Sequence, residues 1–199
     1  MSKGSFIVFE GIDGSGKSSC ADAVAKMLAK ERNVILTAEP TSEGIGAFIR
    51  SSKDLTPEAE ALLFVADRAQ HTHAIKQWVS EEKIVICDRY YASTLAYQSS
   101  SMNGRSVDMA WLKAMNDEVI IEPDITFLFD IDPEVGMERV ESRGSKSKFE
   151  ALEYLKEVRS NYLKIAKERN FIIIDASMTK EKVFDAVSEH ILNTIQRKK

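Results

Sequence analysis

The sequence predicts an α/β fold in which a five-stranded parallel sheet lies between two layers of helices. Three observations predict it. Five short apolar segments alternate along the 199-residue chain with longer segments whose apolar residues recur at helical spacing. The short segments are apolar at nearly every position, as expected for strands that are covered on both faces. A glycine-rich turn joins the first strand to the first helix, and the length suits one domain spanning residues 1–199.

The predicted strands are short, apolar and bounded by turn residues. They are Ser5–Glu10, Asn33–Ala38, Lys83–Asp88, Ile125–Asp130 and Phe171–Asp175. Ligands of such sheets bind beyond the carboxyl ends of the strands, so the terminal residues Asp88, Asp130 and Asp175 are candidates for holding Mg²⁺. An aspartate that ends a strand is also common as a helix cap or turn former, and the sequence leaves that alternative open for each.

The predicted helices fill the segments between the strands. They cover Ser18–Glu31, Gly44–Ser51, Pro57 to about Trp78, Tyr91–Ser99, Val107–Val119, Pro133 to about Arg143, Phe149 to about Arg169, and Lys180–Arg197. Two of the helix starts carry a capping residue directly before a proline, at Thr56 and at Asp132. Threonine and aspartate favour the N-cap, and proline favours the first helical position, so both starts are predicted on physical grounds.

The turn after the first strand matches the phosphate-loop pattern G-x-x-x-x-G-K-[ST]. Backbone N–H groups of such a loop surround anionic oxygens, and the following helix directs its positive end at them. Lys17 can reach the β- and γ-phosphates, and the Ser18 hydroxyl can bind Mg²⁺. The predicted contacts of a bound nucleoside triphosphate are Gly11, Ile12, Asp13, Gly14, Ser15, Gly16, Lys17, Ser18 and Ser19.

The composition narrows the class of partner. A net charge of −4 carries no general basic excess, so a large nucleic-acid surface is not predicted. No apolar run approaches the length of a membrane span, and the N-terminal residues leave no room for a signal peptide before the first strand. Cys20 and Cys87 have no metal-ligand spacing and are predicted to be reduced core thiols. These features favour a cytoplasmic protein.

The segment Asp88–Gln98 makes the sequence recognisable. It reads Asp-Arg-Tyr-Tyr-Ala-Ser-Thr-Leu-Ala-Tyr-Gln and resembles the D-R-Y-x-x-S-x-x-A-Y-Q signature of thymidylate kinases. Further segments resemble that family in the same order: Phe9–Lys17, Glu39-Pro40, Ile49-Arg50, Leu62–Arg68, Asp132–Val135, Phe149-Glu150 and Val158–Tyr162. The resemblance spans nearly the whole chain. It implies a phosphate-loop kinase fold, a homodimer, and transfer of the ATP γ-phosphoryl group to dTMP, which gives dTDP and ADP for dTTP synthesis.

The resemblance also implies roles at the acceptor nucleotide. Phe64 would stack on the thymine face, and Arg68 would donate to a pyrimidine carbonyl. Thr94 and Gln98 would meet the remaining base edge, and Tyr97 would exclude a ribose 2′-OH. The full set of implied acceptor contacts is Asp13, Glu39, Arg50, Phe64, Arg68, Arg89, Thr94, Tyr97 and Gln98.

The implied catalytic groups act by charge, because phosphoryl transfer between polyanions needs positive charge more than acid–base chemistry. They are Lys17, Asp88, Arg89 and Arg143, with Ser18 and Asp88 holding Mg²⁺. Arg50 and Arg89 would clamp the acceptor phosphate with their planar guanidinium forks, and Asp13 would face the sugar 3′-OH.

A lid is predicted around residues 139–149, where a basic segment with Gly and Ser lies between two helices. In this family, an arginine at the transferring phosphoryl group comes either from the phosphate loop or from a mobile lid. Gly14 occupies the loop position, so the resemblance implies that the lid supplies the arginine. Arg143 is the predicted residue, with Lys146 or Lys148 assisting.

Two alternatives remain open at this stage. One is a broader deoxynucleotide or deoxynucleoside kinase on the same architecture. The other is a regulatory protein whose phosphate loop drives a conformational switch, which would have no need for Phe64, Arg68 and Gln98.

Overall fold

A computed structural model describes residues 4–101, 105–140 and 148–197 of the chain. Within these ranges the predicted architecture is confirmed. The strands form one five-stranded, all-parallel sheet, and helices lie on both of its sides. Because each parallel connection must return to the same end of the sheet, helices connect successive strands, as expected for an α/β fold.

The strands match the predicted segments to within one residue at each end. They are β1 (Ser5–Glu10), β2 (Val34–Ala38), β3 (Ile84–Asp88), β4 (Ile125–Asp130) and β5 (Ile172–Asp175). Their order in the sheet is β2-β3-β1-β4-β5. The register pairs Asp88 with Phe9 on one side and with Ala38 on the other. The turns after β1, β2 and β3 therefore open at the same edge, with Asp88 at its centre.

The helices agree with the prediction apart from small differences at their ends. They are α1 (Lys17–Leu28), α2 (Gly44–Ser51), α3 (Pro57–Ser80), α4 (Tyr91–Gln98), α5 (Met109–Asp117), α6 (Pro133–Val140), α7 (Lys148–Glu168) and α8 (Lys180–Arg197). The Thr56 cap is confirmed, since its hydroxyl accepts from Ala59 N at 3.2 Å. Helix α5 begins later than predicted because the Asp108 side chain caps it, accepting from Trp111 N at 2.8 Å. None of the described helices is long and apolar enough to span a membrane.

The core beneath the edge of the sheet where ligands are expected consists mainly of β1 and the two strands beside it. All six residues of β1 are buried. Phe9 packs against Phe127 and Phe129 of β4, with ring centroids 5.5 and 5.4 Å apart. Burying one phenylalanine side chain contributes about 1.5–3 kcal/mol. The turn that follows β1 thus starts from one of the most buried parts of the molecule.

Candidate active site

The phosphate loop follows β1 and ends at the first residue of α1. Gly14, near its tip, has a φ of +79°, a conformation that residues with a side chain rarely adopt. A Cβ atom at Gly14 would also collide with the backbone carbonyl of Gly136 in α6. The loop and α6 therefore touch through two glycines. This packing leaves no room for a side chain at position 14.

Lys17 is the buried cation of the loop, with only 4% of its surface exposed. Burial and the nearby Arg89 lower its pKa, while Asp88 and Asp13 act in the opposite direction. The Lys17 Nζ atom lies 3.9 Å from Asp13 Oδ1. A desolvated ammonium group gains more from an incoming anion than an exposed one does. The position of Lys17 therefore suits the binding of phosphate oxygens.

The three aspartates that end strands differ in their hydrogen bonds. Asp130 forms an ion pair with Arg159, whose Nε and Nη2 atoms donate to it at 2.6 and 2.9 Å. Asp175 accepts from the backbone N–H and the hydroxyl of Ser177, as a turn-forming residue does. Asp88 differs, because its Oδ1 atom is buried and has no hydrogen-bond partner among the described residues.

The free oxygen of Asp88 is what a metal-bound water would need. No group of three or more metal-binding side chains occurs within the described ranges, so a divalent ion here would rely on few protein ligands. Mg²⁺ commonly keeps several waters and binds one or two protein groups plus substrate phosphates. The exposed Ser18 hydroxyl and the Asp88 carboxylate fit that pattern.

Arg89 lies at the junction between the loop and the predicted acceptor pocket. Its Nη2 atom donates to Asp13 Oδ1 at 2.7 Å, and its Nη1 atom donates to the Gly11 carbonyl at 3.1 Å. The guanidinium carbon lies 5.2 Å from the centroid of the Tyr97 ring. The backbone of Arg89 has a φ of +71°, which is uncommon outside glycine. Such strain is often found at functional sites, and here it aims the side chain at the loop.

Glu10 is a buried residue that the sequence reading did not identify as functional. Its carboxylate accepts from the N–H groups of Tyr90 and Ser93 at 2.9 and 3.2 Å, and from the Ser93 hydroxyl at 2.6 Å. Tyr90 is the N-cap of α4 and makes no side-chain cap bond itself. Glu10, the last residue of β1, thus caps the N-terminus of α4. Burial raises the pKa of Glu10, although these hydrogen bonds and Arg89 oppose the shift.

A cavity of about 400 Å³ opens beside Asp13 and is lined by residues of α3, α4 and α7. Every predicted acceptor contact except Arg50 lines it. Five lining residues were not predicted: Pro40, Glu60, Tyr90, Ser93 and Tyr154. One of them, Glu60, could have been found from spacing. It precedes Phe64 and Arg68 at intervals of four residues on one helix face.

Arg68 is fully buried, and its charge is balanced by Glu39. The Arg68 Nε and Nη2 atoms lie 2.8 and 2.7 Å from Glu39 Oε2, and Nη2 also donates to the Thr94 hydroxyl at 3.0 Å. Nη1 donates to the Asn116 side-chain oxygen. His71 shares the other Glu39 oxygen at 2.9 Å. These contacts hold the guanidinium in one orientation at the cavity wall.

Arg50 lies at the loop after β2 rather than in the cavity wall. Its two terminal nitrogens donate to the backbone carbonyls of Pro40 and Thr41. The same loop is held from α3, because Asp67 accepts from Thr41 N at 2.7 Å and from the Thr41 hydroxyl at 2.6 Å. In this structure, the observed contact of Arg50 is to the loop that carries Glu39 and Pro40.

Most of the predicted lid, including Arg143 and Lys146, lies outside the described residues. Arg139 at its start is described. It donates to the Ala176 carbonyl at 3.1 Å and to the Gly14 carbonyl at 3.4 Å. The last turn of α6 therefore contacts both the phosphate loop and the segment after β5, so the chain enters the predicted lid next to the loop.

Comparisons with known proteins point to one family. The family model of thymidylate kinase matches residues 9–187. A probable thymidylate kinase of Methanosarcina barkeri is 40% identical over 98% of this chain and 99% of its own length. Proteins with the same description from Methanocaldococcus jannaschii and Thermococcus gammatolerans are 40% and 42% identical. They cover 94% and 82% of this chain, and the match spans 93% and 83% of their own lengths.

Proposed function

The chain belongs to the thymidylate kinase family, and from that premise we propose how its residues divide the work of the reaction. The reaction is the ATP-dependent phosphorylation of dTMP to dTDP. The observation that carries the proposal is the continuity between the two sites. The cavity lined by Phe64, Arg68 and Tyr97 reaches Asp13, which belongs to the phosphate loop.

The acceptor dTMP occupies this cavity. Phe64 stacks on the thymine ring, Arg68 donates to a carbonyl of the base, and Tyr97 stands where a ribose 2′-OH would lie. Arg89 binds the 5′-phosphate. Its pairing with Asp13 at 2.7 Å supports this role, because an acceptor phosphate next to the loop would lie within its reach. Arg50 acts on the same phosphate only if it leaves the Pro40 and Thr41 carbonyls, and otherwise it supports the loop.

The donor ATP binds to the phosphate loop, with Lys17 at its β- and γ-phosphates. Kinases of this family generally use Mg²⁺ with ATP, and we assign the ion to Ser18 and Asp88 on the strength of the unpaired Asp88 oxygen. When bound there, Mg²⁺ would neutralise charge on the phosphate oxygens. Lys17 and Arg89 add positive charge at the transferring group, and Arg143 of the lid adds a third side-chain cation.

The protein is proposed to act as a homodimer in the cytoplasm. Phe48 of α2 and Leu62 of α3 are large apolar residues that are 54% and 49% exposed, and they lie on neighbouring helices. A contiguous exposed apolar patch is typical of an interface, and α2 and α3 pack against each other. Analytical ultracentrifugation of a Leu62→Asp variant tests this assembly. The compartment is supported by Cys20 and Cys87, which are buried free thiols as in proteins of reducing environments.

An assay that couples ADP release to a spectroscopic signal tests the function. With ATP and Mg²⁺, we expect dTMP to stimulate ADP release more strongly than dUMP, dCMP or thymidine. Equal stimulation by several acceptors would favour the broader kinase. No dTMP-dependent release would contradict the proposal and favour a regulatory switch. The rate without an acceptor is the control, because it measures hydrolysis of ATP by water.

A further inference from the structure

Two side chains that line the acceptor cavity are hydrogen-bonded to each other. Gln98 Nε2 donates to Glu60 Oε2 at 3.2 Å. Glu60 lies in the first turn of α3, and Gln98 is the last residue of α4, so the bond joins the ends of two different helices. Both residues are half-buried. Their contact lies in the same wall as Phe64 and Arg68.

The carboxylate determines which end of the amide faces it. An ionised carboxylate only accepts hydrogen bonds, whereas a glutamine amide has a donating NH2 group and an accepting oxygen. A reversed amide would set two acceptors against each other and lose the bond. Glu60 therefore binds one N–H of the Gln98 amide and fixes its orientation, which leaves Oε1 of Gln98, an acceptor, for another partner.

We propose that Glu60 is a positioning residue that makes the pocket select bases with a protonated N3. The proposal rests on the proposed function, in which Gln98 meets the edge of the base. Thymine carries an N3–H group that donates, while N3 of cytosine is unprotonated and only accepts. Gln98, held with its oxygen toward the base, pairs with thymine and opposes cytosine.

Arg68 needs no comparable device. A guanidinium has five N–H donors and no acceptor, so it suits the O4 oxygen of thymine and opposes the amino group of cytosine in any orientation. The Gln98 amide, in contrast, can turn over and present either a donor or an acceptor. Its selectivity therefore depends on a neighbour that accepts only, and Glu60 is the carboxylate in contact with it.

The test compares two acceptors that differ only in the base edge, dTMP and 5-methyl-dCMP. Both share the methyl group, the sugar and the phosphate. We expect Glu60→Ala to lower the ratio of kcat/KM for dTMP to that for 5-methyl-dCMP by about tenfold, since the amide is free to turn. Glu60→Gln keeps the shape and removes the charge, so the ratio should fall in the same direction. Glu58→Ala is the matched control, because Glu58 is an exposed acid of the same helical turn.

A double-mutant cycle separates an indirect role from a direct one. In a Gln98→Leu background, we expect Glu60→Ala to leave the ratio unchanged. An equal fall in both backgrounds would overturn the proposal, because Glu60 would then contact the base itself. An unchanged ratio in Glu60→Ala alone, or an equal loss for both acceptors, would overturn it as well. All values are referred to turnover of dTMP by the wild-type chain, and absence of that turnover would contradict the proposed function instead.

Discussion

The donor side and the acceptor side of the site differ in the chemical groups that form them. On the donor side, the proposed binding groups are mainly backbone N–H groups of one short loop, which is shaped by conformations such as the +79° φ of Gly14. On the acceptor side, the wall consists of side chains from α3, α4 and α7. Contacts between distant residues hold them, such as the pair of Arg68 and Glu39 at 2.7 Å.

The charged side chains of the two sides also differ in how closely they are paired with carboxylates. Lys17 is buried with a lowered pKa, and the only carboxylate near its ammonium group in the described ion pairs is Asp13 at 3.9 Å. Arg68 and Arg89 each have a carboxylate within 2.7 Å. A donor site with one weakly paired cation suits any triphosphate. An acceptor site with paired, oriented side chains can be selective among bases. Each of these side chains can be replaced by mutation without altering the backbone, so the selectivity can be changed one residue at a time.

The largest expected effect concerns the cation that the donor loop lacks. If Gly14 leaves this role to the lid, Arg143→Ala should reduce kcat by about 10³-fold, as for arginines that stabilise the transferring phosphoryl group elsewhere. Single-turnover kinetics with dTMP measure the change. Arg105→Ala, an exposed arginine outside the cavity, is the control. A loss in Arg143→Ala smaller than about tenfold would remove that residue from the mechanism.

The next effect concerns the stability of the acceptor wall. Glu39→Gln removes the charge that balances the buried Arg68, and breaking a buried ion pair costs about 3–5 kcal/mol. Denaturant unfolding measures the free energy of unfolding. Glu43→Gln, an exposed acid of the same loop, should change it by less than about 0.5 kcal/mol. Equal, small losses in the two variants would mean that the wall does not depend on this pair.

A third prediction probes the backbone of the donor side with two matched glycines. Gly14 and Gly16 both have positive φ values, +79° and +84°. A Cβ at Gly14 would collide with Gly136, whereas a Cβ at Gly16 meets nothing within 4 Å. Gly14→Ala should therefore cost about 1–3 kcal/mol more than Gly16→Ala in the free energy of unfolding. Similar losses in both would show that the contact between the loop and α6 can relax.

The smallest effect is a pH dependence of stability that originates at Lys17. The pKa of Lys17 is lowered in the folded chain from its ordinary value of 10.5. At pH values between the lowered pKa and 10.5, the folded state therefore binds fewer protons than the unfolded state. The free energy of unfolding should then rise with pH in that window, by at most about 1.4 kcal/mol per pH unit. Subtracting the profile of Lys17→Met isolates the contribution. A difference profile that falls with pH would contradict the assignment.

The donor side could be predicted from a local sequence pattern, whereas the acceptor side could not, for a physical reason. The phosphate loop is contiguous, so its glycines, Lys17 and Ser18 can be recognised in eight consecutive residues. Strand and helix bounds are also local, which explains why the Thr56 cap was predicted correctly. The order of the strands was not predicted, because it depends on contacts between distant segments.

The acceptor side was predicted mainly through resemblance to a family, and its supporting contacts were missed. Glu10 caps a helix 80 residues away in sequence from its own strand, at Tyr90. The positive φ of Arg89 and the contacts of Arg50 with Pro40 also depend on tertiary structure. The resemblance had already pointed to Asp88 among the three strand-ending aspartates, but only the structure shows that Asp130 and Asp175 are paired with other groups. No local pattern encodes these facts.

We infer that the donor side and the acceptor side bind their nucleotides separately, and Phe64→Ala tests this separation most directly. Phe64 is half-buried on α3, lines the acceptor cavity, and lies outside the phosphate loop in sequence. Loss of a stacking ring costs about 1–3 kcal/mol per base, so the KM for dTMP should rise by about tenfold or more while the KM for ATP stays within about twofold. A parallel rise of both KM values, or no change in the KM for dTMP, would contradict the account.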